Sequence, residues 1–488
     1  MTDKQQIAGS LFWKLLERGG VQVTQFIVSI IIARLLLPSA YGAVAILMIF
    51  ISIATVFVQS GLNTALIQKK DVDNSDISSV LFYCLGIATI SYLIIYFSSP
   101  YIASFFNIDE LTVLLRVTAI TLYPGAVNAI QLAILSKRMQ FKKQFYAGLA
   151  ASIISGVVGI VMAYRGGEAW ALVGQQLTSQ IVICILLGFM AKWNLTFNVS
   201  FSRTKPLLAY GSKLLGARLI DTLYHNLESI IIGKEFSAAT LAYCNKGKQF
   251  PLTLIDNIDG SIQSVMLPAY SAKQENVNTV KGMLRRTLSL TTFIVFPLMI
   301  ILAATANSVI YLLLGPNWHD AVPYLQLFCF IAMMFPLQTA DLQAINAMGR
   351  SDVYFKLISW KRLVGVIFLL TSVMIWKSPF AVVIAALIVE IFAILINAPA
   401  NKKILGYTFG EMMSDILPNA ALSLVVGVFC WSLTLVINNH WILLPSQILG
   451  GIIMTMILSM ILRRSQLAYI MELLHVPGKY LHFVTRQK

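Results

Sequence analysis

Residues 213–228 read KLLGARLIDTLYHNLE. They lie inside an otherwise apolar segment, residues 206–232, longer than the roughly 20 residues that a bilayer crossing requires. Arg218, Asp221, His225 and Glu228 follow one another at spacings of three, four and three, so at 3.6 residues per turn they share one helix face. An ionisable side chain in a spanning helix costs roughly 2.5–3.5 kcal/mol to insert, and such groups therefore face a bundle interior or a watery cavity. A helix of this kind implies a chain arranged around a hydrophilic chamber within the lipid.

Composition agrees. Of 488 residues, 58% are hydrophobic and only 12% charged, whereas a soluble domain carries about 25% charged residues. The formal net charge of +15 comes from short basic clusters between apolar spans, which points to membrane topology rather than nucleic acid. The first ten residues are polar, the apolar segment after them exceeds a signal-peptide core, and no A-x-A-like site follows, so the first helix is expected to be retained. Cys84, Cys184, Cys244, Cys329 and Cys430 all fall in apolar spans without a CxxC pair and read as small hydrophobes.

Cutting at charge clusters and at Pro, Gly and Asn breaks predicts an all-α polytopic membrane protein with about 14 transmembrane helices. Their approximate limits are 10–36, 41–67, 77–98, 111–136, 141–164, 168–191, 206–232, 237–268, 284–313, 320–347, 354–376, 379–399, 415–437 and 441–462. Spans 1, 7 and 8 are the most polar, and a plain hydropathy scan is expected to drop one of them. The positive-inside rule supports the count. Loops on one side hold Lys69/Lys70, Lys137/Arg138/Lys142/Lys143, Lys192/Arg203/Lys205, Lys273/Lys281/Arg285/Arg286, Arg350/Lys356, Lys402/Lys403 and the basic tail. The opposite loops offer Arg34, Arg116, Arg165, Lys234 and Lys377, each alone, which predicts that both termini are cytoplasmic. No loop is long enough to form a separate soluble domain.

The chain also repeats itself. Residues 123–188 overlie 335–400 without a gap: Tyr123-Pro124 meets Phe335-Pro336, Gln131 meets Gln343, Arg138 meets Arg350, and residues 162–165 (MAYR) meet 374–377 (MIWK). Six spans per repeat is an even number, so the copies start on the same side of the membrane, as two parallel six-helix repeats. The expected domains are an N-terminal lobe over 1–200, a second lobe over 201–400, and two further helices with a tail over 401–488. That last pair is expected to be peripheral, completing a lipid-facing groove or binding a partner.

Enzyme signatures are missing: no GxxxxGK[ST] loop, no GxGxxG opening a helix, no HExxH and no zinc-spaced Cys/His cluster, so no catalytic residue, metal or cofactor is expected. Asp71-Val72-Asp73 forms a DxD in a short polar loop, where a solvated turn is the plainer reading. The informative polar groups lie within the membrane. Lys14, Arg18, Gln22, Gln25 and Ser29 stripe the first span with Glu17 beside them, Gln59 and Asn63 add a turn in the second, and Asn245, Lys248, Asp256, Asp259 and Gln263 stripe the eighth beside Lys246. The candidate substrate-binding set is therefore Lys14, Arg18, Arg218, Asp221, His225, Lys246, Lys248, Asp256 and Asp259. Its charges nearly balance, which suits a large polar substrate with anionic groups, gripped as a pyrophosphate by Arg18 and Arg218. The structural alternative pairs the same charges internally: Glu17 with Arg18, Asp221 with Arg218, Lys248 with Asp256 or Asp259. Lys14 and Lys213 could equally snorkel to the interface, and His225 is either a proton-coupling group or a neutral, hydrogen-bonded one. Trp318, Trp441 and Tyr101 near outer span ends read as aromatic-belt anchors. Asp341, Glu390, Lys361 and Arg362 have no assigned place.

The opening SLFWKLLERGGVQVTQFIVSIIIARLLLPSAYGAVAIL and the following FVQSGLNTALIQKKDVDNSDISSVLFY resemble the Wzx-type, colanic-acid-exporter-like flippases. These form part of the polysaccharide-transport branch of the multidrug/oligosaccharidyl-lipid/polysaccharide exporter superfamily. The resemblance runs over nearly the whole chain, including the ARLLLP-x-x-YG turn of residues 33–42 and GLNTALIQKKD of residues 61–71, motifs that mark helix ends and packing. It implies a V-shaped transporter of two six-helix lobes with alternating access in the bacterial inner membrane. It further implies transport of an undecaprenyl-pyrophosphate-linked oligosaccharide to the periplasmic leaflet for O-antigen, capsule or exopolysaccharide synthesis. Arg18, Arg218, Lys246 and Lys248 match by position the cavity cations such flippases use, a proton or sodium ion would be the coupling species, and a polymerase and chain-length regulator would be downstream partners. The alternative within the same fold is a multidrug or small-molecule cation antiporter; the first span lacks the aspartate many of these use. A membrane glycosyltransferase, polymerase or ligase would need a sizeable catalytic loop.

Overall fold

A computed structural model describes residues 3–59, 62–68, 73–191, 196, 201–462 and 466. Among them every regular element is helical. The first helices are α1 (Asp3–Leu35), α2 (Pro38–Gln59), the short α3 (Leu62–Gln68), α4 (Asn74–Phe106), α5 (Leu111–Thr118), α6 (Leu122–Lys137), α7 (Phe141–Tyr164) and α8 (Glu168–Ala191). They are followed by α9 (Phe201–Glu235), α10 (Ala238–Ser271), α11 (Val277–Leu313), α12 (Val322–Ala347), α13 (Ser351–Trp376), α14 (Pro379–Leu405), α15 (Phe409–Val436) and α16 (His440–Leu462). A 3-10 turn, Ala119–Thr121, joins α5 to α6 in one span, so fourteen long helical segments stand where the hydropathy reading expects spans. Eleven of them are both long and apolar enough to cross a membrane. The other three are α1, α9 and α10, the charged helices at the expected spans 1, 7 and 8; the described apolar part of α1 is Gly19–Leu35.

The helix ends follow from local chemistry. Pro38 and Pro379 open α2 and α14, where a missing N–H costs nothing. Asp73 caps α4: its carboxylate accepts from the Asp76 N–H while the Asp76 side chain accepts from the Asp73 N–H. Thr408 and Glu411 cap α15 in the same way. The second aspartate of the DxD is thus a helix cap, and Asp71 and Val72 lie outside the described residues. Gly406, at φ 64°, closes α14 in the left-handed conformation that glycine adopts without strain.

The duplication is visible in the helix bounds. Shifting α7 and α8 by the 212-residue offset gives 353–376 and 380–403, against 351–376 and 379–405 for α13 and α14. By compactness the chain divides into two units, Met1–Ala242 and Tyr243–Lys488. The division falls after α9 because α9 packs against α2, α3 and α4. Asn226 of α9 donates to the Ser52 hydroxyl at 3.3 Å, and Lys234 donates to the Phe105 carbonyl while lying 4.4 Å from that ring's centroid.

In the first unit α1 lies along α7, where Gly148, Gly156 and Gly159 let Val21, Val28 and Ile32 reach the α7 backbone. Small residues at such crossings allow the close packing on which helix association in lipid depends. The second unit seats α15 and α16 on α11. Arg285 reaches both Asp415 oxygens at 2.8 Å, Lys281 pairs with Glu411 at 2.8 Å, and the buried Asn419 amide donates to the Ser289 carbonyl and the Thr292 hydroxyl. Gln447 donates to the Cys430 carbonyl at 2.9 Å. The last helix pair, expected to be peripheral, is thus pinned to the second unit by charge and amide contacts. All five cysteines are free, four of them buried. Trp441 and Tyr101 are exposed, as belt anchors are, but Trp318 is not: it is fully buried, edge-on to Tyr243 at 6.0 Å, because the turn before α12 folds it into the core.

Gly42 of the Tyr41-Gly42 turn touches the start of α10 so closely that a Cβ would collide with the Ala238 carbonyl, whereas a Cβ on Gly86 meets nothing within 4 Å. Gly42→Val is expected to destabilise by about 1–3 kcal/mol or more through overpacking, with Gly86→Ala close to neutral. Thermal unfolding of the two variants in detergent measures the difference.

Candidate functional site

The polar face of α9 forms as its spacing predicts. Within the first unit Arg218, Asp221 and His225 are exposed and Glu228 is half-buried. His225 Nε2 stands 3.6 Å from Asp221 Oδ1 one turn away, with the two side chains 66% and 52% exposed. The expected pairing of Asp221 with Arg218 does not form: Arg218 has no ion-pair or hydrogen-bond partner among the described residues. Further along α9, Ile232 is buried and Gly233 meets Ile46 of α2, which anchors the far end of the helix. The side chains of Lys14, Glu17, Arg18 and Lys213 lie outside the described residues.

In the second unit the NKGK stretch of α10 separates two lysines that sequence treats alike. Gly247 brings the α10 backbone against Tyr324 and Leu325 at the start of α12. Lys246 is thereby turned into the packing: it is 6% exposed, donates to the Gln249 side-chain oxygen at 3.2 Å, and lies 6.0 Å from the Trp318 ring. Lys248 is half-buried, with its ammonium 5.4 Å from the Phe328 centroid, a cation–π distance. Two turns on, Asp256 is exposed, while Asp259 is half-buried and accepts from the Thr339 hydroxyl of α12 at 3.1 Å.

One cluster was invisible as a cluster in the sequence. Lys361 of α13 donates to Glu390 of α14 at 2.8 Å and to the Gln338 oxygen of α12 at 2.7 Å, while the Gln338 amide donates to Glu390 at 2.6 Å. These are the unplaced Lys361 and Glu390; the amide that closes the ring gave no signal, since glutamines are unremarkable in any one helix. Asp341, also unplaced, is fully buried in α12. No group of three or more His, Cys, Asp or Glu able to hold a metal occurs among the described residues.

The first unit also contains a cavity of about 500 Å³ walled by α2, α6 and α8, with Thr222 of α9 on its rim. Its polar lining is entirely amide and hydroxyl. Asn128 crosses between α6 and α8, donating to the Gln180 carbonyl at 3.0 Å and to its side-chain oxygen at 2.8 Å. An equal chain separation of 52 residues joins Gln338 to Glu390 in the second unit, so both halves use an amide clamp between corresponding helices.

With this arrangement established, comparison with known proteins is informative. The sequence profile of a family described as "Polysaccharide biosynthesis protein" matches residues 31–323. The teichuronic acid biosynthesis protein TuaB of Bacillus subtilis is 25% identical over 62% of this chain and 63% of its own length. The lipopolysaccharide biosynthesis protein WzxC of Escherichia coli is 20% identical over 84% of each chain. Among solved structures, the lipid II flippase MurJ in an inward closed conformation superposes with a TM-score of 0.74 at 17% identity, covering 93% of this chain and 99% of that one. At that identity the likeness establishes the fold alone.

Removing one member of the Lys361–Glu390 pair leaves a buried charge unmatched, at a cost of about 3–5 kcal/mol, whereas removing both costs less. Lys361→Met and Glu390→Gln are each expected to lower the unfolding temperature in detergent more than the double variant does, and a double-mutant cycle reads the coupling.

Proposed function

We propose that this chain, which belongs to the polysaccharide biosynthesis protein family, is a flippase for an undecaprenyl-pyrophosphate-linked oligosaccharide repeat unit. It carries the unit from the cytoplasmic to the periplasmic leaflet of the bacterial inner membrane by alternating access, supplying O-antigen, capsule or exopolysaccharide synthesis. It is a transporter and not an enzyme. The observation that carries this reading is Arg218: a permanently charged, exposed guanidinium on α9, without a partner among the described residues. A guanidinium fork matches two phosphate oxygens at once, and a desolvated pyrophosphate supplies the counter-charge such a group needs in lipid.

In this proposal Lys14, Arg18, Arg218 and Lys248 are the cations that serve the pyrophosphate. Asp221, His225 and Asp256 face the sugars, and Lys246 and Asp259, held by Gln249 and Thr339, support the α10 face from within the packing. A proton or sodium ion is the coupling species, His225 beside Asp221 being the titratable candidate. A polymerase and a chain-length regulator receive the product. The cation-antiporter alternative has less support, because relatives covering much of the chain are named for polysaccharide biosynthesis.

Arg218→Ala is expected to lower surface polysaccharide about tenfold to a hundredfold, the loss of one or two charge-assisted hydrogen bonds, with Arg218→Lys intermediate. Complete lipid-linked repeat units should accumulate facing the cytoplasm at unchanged protein level. Accumulation of partial units would point instead to a sugar transferase, and full polymer from Arg218→Ala would remove the reading's main support.

A further inference from the structure

The cavity in the first unit is chemically unlike the charged faces of α9 and α10. None of its lining residues is ionisable; the polar ones include Ser52, Thr55 and Gln59 of α2, Asn128 of α6, and Gln176 and Gln180 of α8. Several have their hydrogen bonds committed. Ser52 and Thr55 donate to the carbonyls of Ile49 and Ile51 in their own helix, and the Asn128 amide nitrogen donates to Gln180, while the Asn128 side-chain oxygen is buried without a partner among the described residues. Gln59 and Gln176 are different: both are half-buried, both line the cavity, and neither has a hydrogen-bond partner among the described residues. Each carboxamide can donate twice and accept twice, and leaving a buried amide unsatisfied costs about 1–3 kcal/mol by protein mutational data.

Helix packing does not demand these amides. At the 212-residue offset that relates the two halves, Gly125, Asn128, Gln176 and Gln180 correspond to Leu337, Ala340, Ile388 and Phe392. The corresponding helices of the second half thus carry apolar side chains at the positions where the first half keeps Gly125 and the amides, Leu337 and Ala340 being buried there.

The lining also selects among ligands. An anion finds no cation there and a cation no carboxylate, while a purely apolar molecule would leave the amides unpaired, the penalty by which polar sites reject apolar analogues. A neutral polyol fits: each hydroxyl both donates and accepts, as each carboxamide does, and the pyranose carbons can lie against Val56, Leu132 and Ile183. About 500 Å³ falls within the roughly 300–1,000 Å³ of small-ligand sites.

We propose that this cavity is a sugar subsite, taking an uncharged pyranose of the carrier-linked oligosaccharide through the Gln59 and Gln176 amides. The division of labour, resting on the flippase reading above, assigns pyrophosphate to the cations and neutral sugar to the first unit. Recognition of that uncharged sugar then resides in α2, α6 and α8, in addition to the α9 and α10 groups assigned to the sugars above and apart from the cations that hold the carrier.

The test uses the full-length protein in lipid nanodiscs and two probes, undecaprenyl pyrophosphate and the lipid-linked oligosaccharide fraction extracted from the host strain deleted for this gene. The wild type is expected to bind the sugar-bearing fraction more tightly than the bare carrier. Gln176→Leu and Gln59→Leu, which break no protein hydrogen bond and so should fold, are each expected to weaken the sugar-bearing probe about fivefold to tenfold and to leave the bare carrier unchanged. Arg218→Ala should weaken both probes alike. Equal wild-type affinity for the two probes, or folded Gln→Leu variants with an unaltered ratio, would make the cavity a water-filled void and overturn the subsite while leaving the flippase reading intact. Failure of the wild type to bind either lipid would overturn both.

Discussion

An acyl chain accepts no hydrogen bond, so each polar group on a spanning helix must find its partner in the protein or in water that the protein encloses. The backbone meets this demand in that every regular element described is helical. Side chains meet it in two ways, and the difference separates architecture from function. Arg285 with Asp415, Lys361 with Glu390 and Gln338, and Asn419 with Thr292 satisfy one another and tie helices together. Arg218, Gln59 and Gln176 have no hydrogen-bond or ion-pair partner among the described residues. Those are the positions at which a polar cargo has most to contribute.

Duplication shows how such positions arise. Over α7 and α8 the bounds recur within two residues at the 212-residue offset in α13 and α14, and each half retains an amide clamp between corresponding helices. What diverged is the polar content. The second half closed a half-buried Lys–Glu–Gln ring and carries Leu337, Ile388 and Phe392 where the first half kept Gly125, Gln176 and Gln180 around a cavity. One scaffold thus yields a stiffened unit and a unit with room inside it.

Electrostatics explains why cation identity and neighbour matter more than cation number. Lys246 and Lys248 are two residues apart, yet the close approach of Gly247 to α12 sends one into the packing beside Trp318 and leaves the other over a phenylalanine face. A flexible ammonium can be drawn into such a contact by its apolar stem. Arg218, bare within its unit, keeps its guanidinium available to a phosphate-bearing ligand.

The amino-acid sequence by itself determined the spans, most helix limits to within a few residues, the 212-residue repeat and the shared face of Arg218, Asp221, His225 and Glu228. These depend on apolar length, cap residues and a 3.6-residue period, all properties of neighbours along the chain. Tertiary structure alone decided which polar groups are spent: that Lys246 is buried, that Trp318 is core rather than belt, that Asp221 meets His225 rather than Arg218, and that Lys361, Glu390 and Gln338 close on one another. It also decided that α9 packs with the first unit and that Gln59 and Gln176 line a space without a partner. The reason is geometric: periodicity states which side of a helix a residue occupies, but the partner opposite comes from a helix dozens of residues away, and only packing brings the two together.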